Sequence, residues 1–266
     1  MDIELIALDL DGTLLDPGTR IQPETISVLD QFVASGGLVV IDTGRPLPAI
    51  YRILTDNGVL PGKPYPHALI AEEREIYLRG SDGQFEPLQP WNDEIIAAEK
   101  ALLPTARAIA AKVEAELKDE GITGRVPDVA MENERGFVER HFHRREHAER
   151  ARELAEAYLS DGIPLRVVRN NRLIAFRHRD IGKGILLARL AELLDVPQSK
   201  VFAVGDSHND LCMLDGRFGF QSGTVANADP EIQEVIRQKG GPIASQPTSL
   251  GVAELLRGLM EGNSAR

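Results

Sequence analysis

The sequence is poor in cysteine and carries fewer basic than acidic residues. Cys212 is the one cysteine in 266 residues, which excludes an internal disulfide and a zinc site built from thiolates. Lysine and arginine number 30 against 41 aspartate and glutamate residues, a formal net charge of −11. A nucleic-acid groove and a polybasic membrane surface both need a positive field, so we expect neither nucleic acid nor a membrane as a partner. An anionic small molecule remains compatible with this net negative charge, because a bound cation or one lysine reverses the electrostatic field inside a pocket.

Long apolar runs and several common catalytic motifs are also missing. No apolar segment approaches membrane-spanning length, and the first residues, MDIELIALDLDG, lack the basic and apolar regions of a signal peptide. We therefore expect a soluble, cytoplasmic protein. The absence of GxxxxGKS/T, GxGxxG and GxSxG elements leaves P-loop ATP hydrolysis, dinucleotide binding and serine hydrolysis without support.

The apolar residues that are present suffice for a substantial core. Hydrophobic residues make up 42% and charged residues 27% of the chain, which is typical of a globular protein. Near both ends of the chain, short apolar segments alternate with amphipathic helical patterns. The predicted strands lie at residues 3–8, 38–41, 68–70 and 201–204. Strands alternating with helices predict an α/β fold, with a parallel sheet covered by helices on both faces.

The middle of the chain has a different pattern. It begins with an alanine-rich stretch that Pro104 interrupts, and continues with two segments of strand-like alternation separated by a charged helical pattern. We interpret it as a smaller α+β domain inserted into the α/β domain. The predicted core domain comprises residues 1–80 and 181–266, and the predicted inserted domain comprises residues 81–180.

Polar side chains directly follow several predicted strands. These residues are Asp9, Asp11, Thr43, Asp206, Asn209 and Asp210, and Lys183 begins the helix that precedes the last of these strands. Because the carboxyl ends of parallel strands meet at one edge of a sheet, we expect these side chains to converge. Acidic oxygens gathered in this way suit a hard divalent cation that meets a phosphate. Two carboxylates, a hydroxyl, a lysine and a metal form a complete set for phosphoryl transfer through an acyl phosphate.

Four motifs at these positions resemble those of the haloacid dehalogenase superfamily of phosphohydrolases, and they occur in the family's order. They are Asp9–Leu15 (DLDGTLL), Thr43–Arg45 (TGR), Lys183–Gly184 (KG) and Gly205–Asp210 (GDSHND). The inserted segment lies between the second and third motifs, where the Cof-type and sucrose-phosphatase-like branch carries its C2-type cap. The resemblance implies a Rossmann-like α/β core with an α+β cap, and an enzyme that hydrolyses phosphate esters.

The resemblance also implies a role for each motif residue. Asp9 would be the nucleophile that accepts the phosphoryl group, and Asp11 would be the general acid and base. The Mg²⁺ ligands would be Asp9, the backbone carbonyl of Asp11 and Asp206, with Asp210 in or next to the coordination shell. The phosphate oxygens would be bound by Thr43, the backbone of Leu10 and Gly44, Lys183 and Asn209.

The segment after the third predicted strand departs from the Cof-type pattern. Many members carry Asn-Gly-Ala there, whereas this chain has Ala-Glu-Glu-Arg-Glu-Ile-Tyr at residues 71–77. That segment is more similar to the Ser-Val-Gly-Thr-Glu-Ile-Tyr region of sucrose phosphatases, although the serine, glycine and threonine are absent. Residues 131–144 resemble part of the trehalose-phosphate phosphatase cap. Both similarities favour a sugar phosphate as the substrate.

Other functions use the same kinds of residue. A phosphomutase of the same superfamily would also use Asp9 but return the phosphoryl group to the substrate, and a signalling relative would have kept the fold and lost turnover. A two-component receiver gathers acids, a threonine and a lysine around a phosphorylated aspartate, but it has no inserted cap and its acceptor follows a later strand. A Mg²⁺-dependent sugar phosphatase is the function that we expect.

Two histidines in the inserted segment, His141 and His143, lie on one side of a predicted strand. Their spacing suits a metal pair, but without a nearby cysteine a polar surface is the favoured interpretation. The sequence leaves open whether this side, which includes Glu139, or the opposite side, with Arg140 and Arg144, faces the substrate.

Overall fold

The computed structural model describes residues 3–264, with side chains described up to residue 261. The strands are β1 (Leu5–Leu8), β2 (Leu38–Asp42), β3 (Ala68–Ala71), β4 (Glu75–Arg79), β5 (Phe85–Pro87), β6 (Gly124–Arg125), β7 (Val138–Phe142), β8 (Leu165–Asn170), β9 (Leu173–His178), β10 (Val201–Val204) and β11 (Gln221–Gly223). The helices are α1 (Pro23–Ala34), α2 (Leu47–Asp56), α3 (Trp91–Asp119), α4 (Val129–Arg135), α5 (Arg145–Ala157), α6 (Lys183–Leu193), α7 (Leu211–Leu214), α8 (Pro230–Lys239) and α9 (Thr248–Ser264), with short 3₁₀ turns at Gln198–Lys200 and His208–Asp210.

The chain folds into two compact units. The larger unit comprises residues 1–89 and 182–266, and the smaller unit comprises residues 90–181. The predicted boundary near residue 80 would put β5 with the inserted segment, whereas β5 pairs with β4 in the sheet of the larger unit. Phe85 of β5 is buried and packs edge-on against Tyr51 of α2, with ring centroids 5.7 Å apart, and this contact holds β5 to the larger unit.

The larger unit is built on a seven-stranded sheet with the order β11-β10-β1-β2-β3-β4-β5. The strands from β11 to β3 run parallel, β4 pairs antiparallel with β3, and β5 pairs antiparallel with β4. The interior strand β1 is buried along its whole length, as expected for a parallel strand with helices on both faces. In register, Leu8 at its end lies opposite Ile41 of β2 and Val204 of β10, so the segments that follow these strands leave the sheet side by side. The predicted α/β fold is confirmed.

The smaller unit is an α+β structure. Its four-stranded antiparallel sheet has the order β6-β7-β9-β8, and α3 and α5 pack on one face through a shared apolar core. The sequence predicts an interruption at Pro104, but α3 continues through this residue. Pro104 lies on the exposed side of α3, while the residues of the opposite side, such as Ile109 and Val113, are buried in the core. This packing outweighs the hydrogen bond that proline cannot donate.

In the part of the chain that the structure describes, no helix combines the length and the apolar character that crossing a membrane requires.

Candidate active site

Three carboxylates meet at the carboxyl end of the parallel strands. Asp9 follows β1, and Asp206 and Asp210 lie in the loop and 3₁₀ turn after β10. Each offers an oxygen atom, and the three atoms lie within 4.8 Å of one another. These are three of the four residues that the sequence predicts as metal ligands. The side chain of the fourth, Asp11, contacts Arg45, and only its backbone carbonyl was expected to bind the metal.

Lys183 provides the positive charge of this cluster. Its Nζ lies 2.5 Å from Oδ1 of Asp9 and 2.5 Å from Oδ1 of Asp210, and its side chain is fully buried. The N-terminus of α6 carries Lys183 to this position because apolar residues further along the helix, such as Leu186 and Leu190, are buried in the core. Such a buried ammonium is stable only because carboxylates surround it.

Burial and mutual repulsion disfavour the ionised state of the acidic residues. Burial raises the pKa of Asp9, against the field of Lys183, and the charges of Asp210 and Asp206 raise it further. Burial and the nearby charge of Asp210 raise the pKa of Asp206 to about 7. Burial would lower the pKa of Lys183, but Asp210 and Asp9 outweigh it and the pKa is raised. Because a divalent cation would stabilise these carboxylates in their ionised form, this set of hard oxygen ligands fits Mg²⁺.

Two glycines let the loops approach this closely. Gly12 has a φ of 83°, and a Cβ atom there would lie 2.5 Å from Oδ2 of Asp206. A Cβ atom on Gly205 would lie 2.4 Å from Cγ of Asp210. Any side chain at either position would therefore displace one of the clustered carboxylates.

Asp11 is held by an arginine of the second motif. The Nε and Nη2 atoms of Arg45 donate to the two carboxylate oxygens of Asp11, each at 2.6 Å. The Asp11 side chain is 53% exposed, so it stands apart from the buried carboxylates. The sequence motif includes Arg45 without indicating a role for its side chain, and the only signal of one is its position immediately after Thr43 and Gly44.

The residues predicted to bind phosphate lie around the same strand ends. Thr43 follows β2, and its Oγ1 accepts a hydrogen bond from the backbone N–H of Arg45 at 3.2 Å. Asn209 is buried in the 3₁₀ turn, where its Oδ1 accepts from the Ser207 hydroxyl at 2.5 Å. Leu10 and Gly44 lie in the segments directly after β1 and β2. Each of these residues thus stands beside or within the segments that carry the clustered carboxylates.

The unusual segment at residues 71–77 comprises the end of β3, the turn and the first residues of β4. Glu72 and Glu73 both adopt positive φ values, 49° and 56°, in a hairpin turn of three residues, 72–74, that follows the last paired residue of β3. Non-glycine residues in this region cost on the order of 1 kcal/mol or more each. The strain is offset by backbone bonds from Glu72 to the Arg45 carbonyl and from Glu73 to the Thr43 carbonyl, at 3.0 and 3.1 Å. The hairpin turn is thereby fastened to the loop of the second motif.

Two acidic residues outside the sequence motifs, Glu73 and Asp42, also lie at this site. Glu73 is buried, and its Oε1 accepts from Nδ2 of Asn209 at 2.9 Å. Asp42, the last residue of β2, is fully buried, and neither of its carboxyl oxygens has a hydrogen-bond partner among the described residues. Burial raises the pKa of Asp42 well above its usual range. The available signals were a charged residue that ends an apolar strand and a Glu-Glu pair where a glycine-containing turn is usual.

The backbone of the first motif is tied to the C-terminal part of the chain. Nδ2 of Asn227 donates to the Gly12 carbonyl at 2.8 Å, and its Oδ1 accepts from the Thr248 backbone N–H at 2.7 Å. The Thr13 hydroxyl donates to Asp206 at 3.0 Å. These bonds restrain the loop that carries Asp9 and Asp11.

In the smaller unit, the structure separates the two sides of β7. Arg140 is buried on the helix-covered side in ion pairs with Glu132 and Glu114. Glu139 and His141 alternate with it and lie on the other side of the sheet. His143, which the sequence predicts beside them, follows the end of β7 in a bend. No metal cluster that includes His141 or His143 is found among the described residues.

Comparison with known proteins supplies relatives for most of the chain. A family model described as haloacid dehalogenase-like hydrolase matches residues 6–65 and 137–256, more than half of the sequence. A phosphoglycolate phosphatase of Methanothrix thermoacetophila is 25% identical over 255 residues, which cover 96% of each protein. A 5-amino-6-(5-phospho-D-ribitylamino)uracil phosphatase of Bacillus subtilis is 25% identical, covering 97% of this chain and 96% of that protein.

Solved structures share the architecture. The sucrose-phosphatase of Synechocystis sp. PCC6803, solved in complex with sucrose and phosphate, superposes with a TM-score of 0.66. The alignment covers 96% of this chain and 97% of that one at 18% sequence identity. At 18% sequence identity, this match shows a common fold and nothing more specific.

Proposed function

Because the chain belongs to the haloacid dehalogenase-like hydrolase family and is therefore an enzyme, we propose that it is a Mg²⁺-dependent phosphatase of a small phosphorylated metabolite, most specifically a sugar phosphate. The observation that carries the proposal is the buried contact of Asp9 with Lys183 beside Asp206 and Asp210. A carboxylate nucleophile, a cation and two further ligand carboxylates are what an aspartyl-phosphate mechanism needs in one place.

Asp9 is the proposed nucleophile. One of its carboxylate oxygens attacks phosphorus, and the bond from phosphorus to the ester oxygen breaks, which leaves an aspartyl-phosphate. The buried ammonium of Lys183 supports this step because it reduces the repulsion between the Asp9 carboxylate and the anionic ester. Thr43, Asn209 and the backbone amides of Leu10 and Gly44 would donate hydrogen bonds to the phosphoryl oxygens.

Asp11 is the proposed general acid and base. As a carboxylic acid it gives its proton to the leaving oxygen; as a carboxylate it then takes a proton from the water that attacks the aspartyl-phosphate, and the bond between phosphorus and Asp9 breaks. Its exposure supports this role, because a group that exchanges protons with the leaving group and with water has to be accessible.

Asp9, Asp206 and the backbone carbonyl of Asp11 would hold Mg²⁺, with Asp210 beside them. When bound, the ion neutralises charge on the transferring phosphoryl group. Asp210 also has a structural contribution of its own. Its Oδ2 accepts from the backbone N–H groups of Asp206 and Ser207, both at 2.9 Å, and this shapes the loop that presents Asp206.

Named relatives support a small phosphorylated substrate. Two of the relatives are phosphatases of phosphoglycolate and of a phosphorylated ribitylaminouracil. A sugar phosphate is the more specific proposal, and it rests on the sequence similarities at residues 71–77 and 131–144.

The test is phosphate release from a panel of phosphorylated metabolites, with Mg²⁺ and with a chelator. We expect Mg²⁺-dependent release that is fastest on a sugar phosphate, and a loss of several orders of magnitude in Asp9→Asn, which keeps the shape but removes the nucleophilic charge. Asp30→Asn is the matched control, because Asp30 lies on α1, pairs with Lys63 and has no proposed role in catalysis.

A variant Asp9→Asn that keeps a tenth of the wild-type rate on an aryl phosphate would exclude the aspartyl-phosphate mechanism. Interconversion of sugar phosphates that exceeds phosphate release, with activation by a sugar bisphosphate, would identify a phosphomutase instead.

A further inference from the structure

Glu73 puts a carboxylate where the proposed function needs to hold an anion. Its Oε1 lies 2.9 Å from Nδ2 of Asn209, and a Cβ atom built on Gly44 would lie 3.5 Å from the same oxygen. The charge of Glu73 also contributes to the raised pKa of Lys183. Glu73 thus stands among three of the residues that we propose to bind the phosphoryl group.

The conformation of the turn and the contacts of Arg74 hold the Glu73 carboxylate in place. Glu73 adopts a positive φ of 56°, which glycine tolerates without strain. Its neighbour Arg74 is buried and donates hydrogen bonds to Glu72 at 2.6 Å and to Glu75 at 3.0 Å. These bonds restrain the turn. The turn is strained and restrained, and it directs the Glu73 carboxylate at Asn209. We take this as an indication that the carboxylate has a function.

The contacts of Asn209 show what Glu73 does to it. The Oδ1 atom accepts from Ser207, and one N–H of Nδ2 donates to Glu73. These two bonds fix which way the amide points, so the second N–H of Nδ2 is the one left to donate to a phosphoryl oxygen.

We propose that Glu73 is a positioning residue for the Asn209 amide, and that its negative charge weakens the binding of inorganic phosphate and so speeds release of the product. The proposal rests on the proposed function, because it takes Asn209, Gly44 and Lys183 as the phosphate site. It assigns the two effects to different properties of one side chain. The hydrogen-bond acceptor orients Asn209, and the charge repels the dianion.

Two substitutions separate these effects. Glu73→Gln removes the charge and keeps an acceptor for Asn209. Glu73→Gly removes both and relieves the strained φ, so we expect this variant to fold. Glu72→Gln is the matched control, because it removes a charge from the same turn, but from a carboxylate that pairs with Arg74.

The measurement is the dissociation constant of inorganic phosphate for the full chain with Mg²⁺, by calorimetry and by competitive inhibition. We expect Glu73→Gln to bind phosphate about tenfold more tightly, as removal of a nearby like charge requires, and Glu72→Gln to stay within about twofold of the wild type. Glu73→Gly should bind phosphate more tightly than the wild type but less tightly than Glu73→Gln, because Asn209 loses its acceptor.

Phosphate affinity in Glu73→Gln within about twofold of the wild type, or an equal gain in Glu72→Gln, would overturn the inference. So would the absence of phosphate binding in every variant. Ester hydrolysis decides the proposed function separately. A wild type that hydrolyses no ester, together with tighter phosphate binding in Glu73→Gln, would remove the function and keep the inference.

Discussion

The guanidinium of Arg45 holds both carboxylate oxygens of Asp11 at 2.6 Å. The two side chains come from the loops after β2 and β1, which are neighbouring strands of the sheet. Such a planar, two-bond contact sets the orientation of a carboxylate more strictly than a single charge would.

We predict that Arg45→Ala impairs turnover far more than stability. The ion pair is partly exposed, so its loss should change the free energy of unfolding by less than about 1 kcal/mol. The rate of phosphate release should fall by about tenfold or more, because Asp11 loses its fixed orientation. Chemical denaturation and a kinetic assay measure the two effects.

Arg257→Ala serves as the control for Arg45→Ala, because Arg257 forms an ion pair of similar exposure with Glu24. Equal turnover in the two variants would show that the Arg45 contact has no influence on Asp11.

Asp11→Asn should affect proton transfer and leave metal binding nearly intact. Its side chain contacts Arg45 rather than the clustered carboxylates, and the backbone carbonyl is retained in the variant. On an alkyl phosphate, turnover should fall by about a hundredfold or more, whereas the Mg²⁺ concentration for half activation should change far less. With an activated leaving group such as nitrophenolate, phosphoenzyme formation needs little acid assistance, so its breakdown should become limiting. Collapse of Mg²⁺ affinity with normal turnover at saturating metal would contradict the assignment.

His67 should make stability depend on pH. Its Nδ1 accepts from the Val39 backbone N–H at 3.0 Å, which requires the neutral ring. Burial and the nearby Arg79 lower the pKa of His67 below its usual value. Because the pKa of His67 is lower in the folded than in the unfolded chain, the unfolded chain binds the proton at a higher pH. The contribution of neutral His67 to the free energy of unfolding is therefore present above the pKa of the unfolded state. It is lost as the pH falls through the pKa of the folded state.

The free energy of unfolding should therefore decrease between about pH 7.5 and about pH 5.5 more steeply in the wild type than in His67→Asn. Asparagine keeps an acceptor for Val39 but does not titrate, which makes it the matched control. Parallel pH profiles of the two proteins, measured by denaturant titration, would show that His67 does not contribute.

The inserted unit should determine which metabolite is hydrolysed. None of the proposed catalytic residues, all in the larger unit, can recognise a sugar. Glu139 and His141 lie on the sheet side that α3 and α5 leave open. We expect Glu139→Gln and His141→Ala to lower kcat/KM for the preferred sugar phosphate by about tenfold, and to spare acetyl phosphate. His143→Ala, beyond the end of β7, is the control, and equal losses on both substrates in every variant would refute a role in specificity.

The sequence by itself was sufficient for the fold class and for the identity of the motif residues. The uninterrupted apolar runs of β1, β2 and β10 predict buried parallel strands, and the polar residues after them predict a shared edge of the sheet, because both signals are local in sequence. The same local signals were ambiguous in the smaller unit. There the exposed Pro104 suggested a break, and packing of the opposite side of α3 kept the helix continuous.

Only the tertiary structure decided the partners of each site residue. Lys183 and Asp9 are 174 residues apart in sequence, and Asn209 and Glu73 are 136 apart, so no local pattern reports their contacts. The hairpin turn at Glu72 and Glu73 violates the usual preference for glycine, and backbone bonds to the loop of the second motif compensate for it. Charge, burial and strain at these positions depend on which chain segments come into contact. The packing of the sheet and its helices decides those contacts.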